Sequence, residues 1–246
     1  MDNVKEIAQF FLLALSLGVS PFVLLVQRKD TGDGFFRLIY SVILSCIVLF
    51  ILSLYFLPDG KNAFFAPSLA MLVLCCFAPL SKNRLYAVIV PAGIAYFSYY
   101  WFDRAFWPYL YFLSSSFLLG TVTFSMLLGH WYLVTPKLTT RPLVISMKFF
   151  WAVISMKLIG FFFEMSKVIP MSGEVKAGLG SFDLILFTMR FLWGYGILLL
   201  LSYFGWKLIK MRSLQSATGI LYVMVFFVLV GEMMGVYFYY TKGVYL

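Results

Sequence analysis

Five ionisable side chains of this 246-residue chain lie inside apolar stretches: His130, Lys148, Lys157, Arg190 and Glu232. Hydrocarbon tolerates such groups poorly, so each is a functional-site hypothesis by default. Their types allow three kinds of chemistry. Lys157, Arg190 and Glu232 offer two cations and a carboxylate for a paired cluster on a solute, ion or proton route. His130, the only histidine, could relay a proton at a membrane surface or serve as an axial haem ligand. Zinc chemistry wants three or four nitrogen, sulfur or oxygen ligands together, and no His/Cys/carboxylate grouping in the sequence supplies them.

Depth decides which of these groups can meet. Lys157 lies about 14 residues into its apolar run, roughly 21 Å at the helical rise, and Glu232 lies about as far along its own. Arg190 enters from the opposite surface, about 6–7 residues down, or roughly 10 Å. All three then share one level in the outer third of a core about 30 Å thick. Glu164, seven residues beyond Lys157, shares its helix face and is expected to cap the cluster from the outer surface. Gly231 and Gly235 flank Glu232 in "GEMMG", a spacing that lets helices approach closely. Gly194 and Gly196 follow Arg190 by about a turn. The expected centre is therefore an Arg190–Glu232 pair between two tightly packed helices, with Lys157 beside it. Such a pair serves either as a register lock or as part of a pathway; only the pathway needs water access.

A second feature runs from Tyr109 in steps of seven through Ser116, Thr123 and His130 to Lys137. A seven-residue step drifts only about 20° on a straight helix, so these residues form one polar stripe. Small hydroxyls in a stripe serve either helix packing or a hydrated path ending at His130. The stretch around His130, "GHWYLVTPKLTTRP", also reads as an interface belt, a helix end and a positive loop. A two-ligand haem would need Met or a second copy as the other ligand, because Met126 stands one turn away on the same helix. Quinone sites use aromatic residues too, but nothing here singles one out. Lys148 is nine residues from Lys157 and on the opposite face, placed to snorkel towards headgroups.

The elements that must position these groups are set by composition. The chain is 63% hydrophobic and 12% charged, with mean hydropathy +0.94; globular domains average about 45–50% apolar and 25% charged. Lipid is the solvent that fits. A membrane helix needs about 20 mostly apolar residues, and eight such stretches are present, at roughly 7–27, 36–57, 64–81, 85–102, 108–134, 143–163, 184–206 and 218–240. Ten-residue alternating barrel strands are not seen. The expected fold is an all-α integral membrane bundle of about eight transmembrane helices, one domain over residues 1–246 with no soluble domain. Kinks are expected near Pro21, Pro79 and Pro91. The longest loop, from Glu164 to Asp183, is expected to form a flexible outer cap.

Loop charge sets the orientation. With the N-terminus outside, the inner loops hold Arg28, Lys29, Arg37, Lys82, Arg84, Lys137, Arg141, Lys207, Lys210 and Arg212; the outer segments hold six basic and seven acidic residues. The positive-inside rule then puts both termini on the non-cytoplasmic side. The net charge of +9 follows from this topology and implies anionic headgroups as partners on the cytoplasmic side. Nothing resembles a nucleic-acid-binding module. "MDNVKEIAQFF" lacks a positive start and cleavage site, so the first span is expected to be a retained anchor, in a membrane of the bacterial cytoplasmic type. Cys46, Cys75 and Cys76 lie in apolar runs and read as packing.

No phosphate-binding glycine loop, HExxH or CxxC motif occurs, and a non-catalytic role is favoured. Three functions remain open: transport past the charged cluster; a structural or assembly subunit docked to a membrane-protein partner or to further copies of itself; and a redox protein carrying haem or quinone at His130. No cofactor is required by any motif.

Overall fold

A computed structural model of the chain describes residues 2–56, 64–78, 85–135, 139–168 and 181–245. Among these the regular structure is helical: α1 (Asp2–Val19), α2 (Arg28–Phe56), α3 (Phe65–Phe77), α4 (Tyr86–Trp101), α5 (Phe106–Val134), α6 (Arg141–Val168), α7 (Ser181–Phe191), α8 (Leu198–Lys210) and α9 (Leu214–Lys242). Helices are the natural outcome for such apolar segments, because they satisfy every backbone amide within the segment. A π-helical turn over Leu192–Ile197 joins α7 to α8, so the two form one continuous rod.

Prolines and glycines act where their backbone chemistry predicts. At Pro21 the chain tightens into a 3-10 helix over Ser20–Leu25, since proline offers no amide to continue the α ladder. Pro91 is accommodated inside α4. Pro79, the third expected kink, lies outside the described residues, as do Lys82, Arg84, Lys137 and positions 169–180 of the long loop. The "RKDTGDGFFR" segment, expected as a loop, is helical apart from a break at Gly32 (φ 76°, ψ 169°), a backbone region only glycine enters at low cost.

Among the described residues, six helical segments are long and apolar enough to cross a membrane: Val4–Leu25, Thr31–Tyr55, Phe106–Val134, Arg141–Ser166, Phe182–Lys210 and Leu214–Lys242. They correspond to six of the eight expected spans. The other two stretches form α3 and α4, of 13 and 16 residues. At the helical rise these reach roughly 20 and 24 Å, short of a core about 30 Å thick.

Ring contacts fix the directions of the helices. Phe10 of α1 meets Phe102, just past α4, and Tyr111 and Phe112 of α5. Tyr111 in turn meets Tyr239 of α9 and Tyr245. Phe64, ahead of α3, lies against Phe97 and Trp101 of α4. The start of α1, the end of α4, the start of α5 and the end of α9 therefore share one end of the bundle, called the terminal end below. Trp131 donates to the Thr31 carbonyl at 3.0 Å at the other end. The α3–α4 hairpin leaves from the terminal end and returns to it, so it does not alter the direction of any later helix.

α5 is the centre. It packs against α1, α6 and α9, with α2, α3 and α4 beyond α1 and the α7–α8 rod outside α9. In its most apolar stretch 72% of residues are buried, against 22% for the rod. The core is apolar and aromatic, with buried hydroxyls bonded to carbonyls of their own helix, as Ser116 is to Phe112 and Ser125 to Thr121.

Candidate functional site: a buried ion cluster between α5, α6, the rod and α9

Glu232 sits in the middle of α9, fully buried, and holds a cation on each carboxylate oxygen. Lys157 Nζ of α6 donates to Oε2 at 2.7 Å, and Arg190 Nη2 of α7 donates to Oε1 at 2.9 Å. Lys157 also donates to Ser115 Oγ of α5 at 2.7 Å. Arg190 Nη2 reaches Tyr195 Oη at 3.0 Å, with the guanidinium 4.6 Å from that ring's centre. Lys157 is 6% exposed; Arg190 and Glu232 are at 0%. The structure thus brings Lys157, Arg190 and Glu232 to one level, and adds Ser115 and Tyr195 from α5 and the π turn.

Local backbone features make this possible. Arg190 and Tyr195 are five residues apart, a spacing that an ordinary α-helix turns away by about 140°. The π turn widens the coil and returns Tyr195 to the face of Arg190. Gly194 and Gly231 let the rod and α9 touch along their backbones: a Cβ at Gly231 would stand 2.6 Å from Gly194 Cα. A Cβ at either glycine would also lie 3.1 Å from Arg190 Nη1. Only glycine at both positions leaves room for the guanidinium between two helices in contact.

Tyr111 completes the site. It stands one turn before Ser115 on α5, 93% buried, with its ring centre 5.1 Å from Lys157 Nζ. Its hydroxyl has no hydrogen-bond partner among the described residues. Chemically, the assembly sets two cations against one carboxylate in a region closed to solvent. Desolvating charges is expensive, and attraction compensates only with good geometry. Both carboxylate oxygens are used, and each cation has a second polar contact.

Glu164 lies two turns further along α6, half-buried, about 10 Å along the axis from Lys157. His130 is exposed and about 22 Å along α5 from Ser115; its Nδ1 and Tyr222 Oη of α9 are 3.2 Å apart. The heptad stripe diverges in its contacts. Tyr109 donates to the Ala95 carbonyl of α4 at 3.0 Å, Ser116 is buried where α5 meets α1, Thr123 is half-buried, and His130 turns to α9. Lys148 is exposed near the start of α6. No group of three or more His, Cys, Asp or Glu residues that could hold a metal occurs among the described residues.

Sequence reasoning missed Ser115, Tyr195 and Tyr111. "SSS" at 114–116 offered three candidate hydroxyls, and the stepping argument selected Ser116 rather than its neighbour. The signal for Tyr195 was "RFLWGYG", in which glycines on either side of the tyrosine follow an intramembrane arginine. No protein-family model, curated protein or solved structure matches this chain.

Proposed function

We propose that this chain is a multi-pass membrane protein that moves a solute, an ion or a proton by way of the Lys157/Arg190/Glu232 cluster. In this reading α3 and α4 complete eight passes, both termini face the non-cytoplasmic side, and the basic loops meet anionic headgroups inside. The observation that carries the reading is the second cation. A register lock needs one cation for one carboxylate, and Arg190 with Glu232 already makes such a pair. Lys157 adds a buried charge that packing does not require. Intramembrane charge of this kind marks a functional-site hypothesis by default; because all three groups are buried in this structure, the pathway reading requires a second conformation that admits water.

Lys157→Met tests the reading cleanly, because it leaves a neutral Arg190–Glu232 pair and a side chain of similar length. Purified protein is reconstituted into phospholipid vesicles with a pH-sensitive dye inside and a potassium gradient across the membrane. Proton and monovalent-ion fluxes are then read. Wild type is expected to pass one of them above empty vesicles, and Lys157→Met to fall to the empty-vesicle rate while remaining folded. Equal flux in the two proteins makes the cluster a structural lock; no flux in wild type removes the proton and monovalent-ion readings.

A subunit role is the competing reading, favoured by the outward-facing Leu192, Trp193, Leu200, Tyr203 and Phe204 of the rod. A partner chain held in fixed ratio through mild-detergent purification is its signature.

A further inference from the structure

We propose that the outer side of the seam between α6 and α8, at the end of the bundle opposite the terminal end, binds an anionic phospholipid. Lys148 and Lys210 hold its phosphate over a floor formed by Trp151 and Trp206. The site is separate from the Lys157/Arg190/Glu232 cluster and does not rest on the transport reading.

α6 and α8 pack mainly on α5 and α9 and meet each other through side chains. Trp151 of α6 donates from Nε1 to Ser202 Oγ of α8 at 2.9 Å, and its ring centre lies 4.9 Å from that of Trp206. These contacts fix the register of the seam. Lys148 stands one turn from Trp151 and Lys210 one turn from Trp206, both towards the basic loops, roughly 4.5 and 6 Å along their axes. The two lysines therefore share a level.

Rotation puts them on one side as well. Lys148 is about 60° round α6 from Trp151, and Lys210 about 40° round α8 from Trp206. The helices run in opposite directions, so these rotations carry both lysines to the same flank of the seam. On the other flank Met147 and Gly205 are buried; a Cβ at Gly205 would stand 4.0 Å from Met147 Cε and 3.6 Å from Ile220 of α9. The lysine flank is the outer one. Lys148, Lys207 and Lys210 are exposed there, as are Ile159, Leu199 and Tyr203 further into the span. Lys210 Nζ lies 4.8 Å from the centre of the Trp206 ring, which holds the cation at the seam.

Charge names the occupant. Residues 141–156 and 198–213 carry five cations, Arg141, Lys148, Lys207, Lys210 and Arg212, and no acidic residue. Lys148 lies seven residues beyond Arg141, roughly 10 Å into the span. The anion that fits this depth is one that itself resides in the bilayer. Indole and lysine suit a headgroup together, because the ring stays at the interface while the ammonium reaches the phosphate. Basic pockets between membrane helices are where such headgroups bind, and Leu199 and Tyr203 give the acyl chains an apolar surface to follow.

Native mass spectrometry tests this. Purified protein in mild detergent is titrated with phosphatidylglycerol, and the one-lipid complex is read beside phosphatidylcholine of the same acyl chains. Wild type is expected to hold phosphatidylglycerol the more tightly. Lys148→Gln and Lys210→Gln should each weaken that binding about fivefold, the weight of one basic residue at an anionic surface. Both side chains are exposed, so the fold is kept. Arg37→Gln, exposed on α2 at the same end, should change binding less than about twofold, because it lies beyond α1 and is screened. Equal affinity for the two lipids overturns the proposal. So does a loss in Arg37→Gln as large as in Lys210→Gln, the mark of a diffuse surface field. Displacement of the lipid by millimolar inorganic phosphate or by an oligoglutamate peptide would make the seam a site for a soluble anion, and overturns it too. No flux enters these readouts, so they stand or fall apart from the Lys157→Met result.

Discussion

Two helix seams in this molecule are built from the same part and do different things. Where α1 crosses α5, Gly18 and Gly120 bring the backbones together; a Cβ on either would run into the other helix's main chain, at Ser116 for Gly18 and at Gly18 for Gly120. Around them lie Phe10 against Phe112 and Phe22 against Phe124, with Ser16 and Ser116 donating to carbonyls of their own helices and Ser20 to the Leu17 carbonyl of α1. Where the rod crosses α9, Gly194 and Gly231 give a similar approach, but a guanidinium lies between the helices and a carboxylate anchors it. Close approach is therefore a packing device by itself. It becomes a site only where it encloses charge, and the widened π turn is what sets the second seam apart.

Removing the anchor separates the seams most sharply. Glu232→Ala leaves Lys157 and Arg190 buried without their carboxylate, a change expected to cost about 3–5 kcal/mol. The expected result is loss of monodisperse protein in detergent, or a thermal midpoint well below wild type. A near-normal midpoint would mean that water already reaches the cluster. Next come the glycines. Gly120→Ala forces backbone from backbone at the α1–α5 seam, and overpacking of this kind costs about 1–3 kcal/mol. It should lower the thermal midpoint while leaving flux per folded protein near wild type. Gly231→Ala presses on Gly194 and on Arg190 Nη1 together, so it should lower flux as well as stability. If the two alanines lose flux equally, the contrast between the seams fails.

How far the sequence revealed all this follows from what each signal depends on. Apolar length is local, so a helical membrane bundle was legible from composition, although the sequence count was eight spans and the described residues hold six helices long and apolar enough to cross. Intramembrane charge is rare, which made Lys157, Arg190 and Glu232 visible, and helical rise was enough to put them at one level. What remained hidden depends on rotation and backbone form. Ser115 rather than Ser116 faces Lys157 because α5 meets α6 and α9 on that side, and neither seven-residue stepping nor composition encodes which neighbour lies there. Tyr195 joins Arg190 only through a π turn, whose spacing of five is not part of the α-helical template. α3 and α4 read as spans because they are apolar, and among the described residues they are helices of 13 and 16 residues, since apolarity does not fix where a helix ends.

The rod and α9 carry a second ion pair that sharpens the comparison by its weakness. At the terminal end, Lys242 Nζ lies 3.1 Å from Asp183 Oδ2, with the lysine side chain 29% exposed. These are the same helices that enclose the Arg190–Glu232 pair, so geometry and connectivity are held constant while burial changes. Asp183 lies in the first turn of α7 and Lys242 in the last turn of α9, so each charge suits its helix end even without the other. Water also solvates the ammonium when its partner is removed. Asp183 is itself 7% exposed and only Lys242 meets water, so Asp183→Asn should cost more than a surface pair but less than Glu232→Ala, with the loss shrinking as salt is added. The check is the thermal midpoint in detergent at low and high ionic strength, beside Glu232→Ala. A loss for Asp183→Asn that matched Glu232→Ala and ignored salt would mean that contact between the rod and α9, not burial of charge, sets the energy of the whole seam.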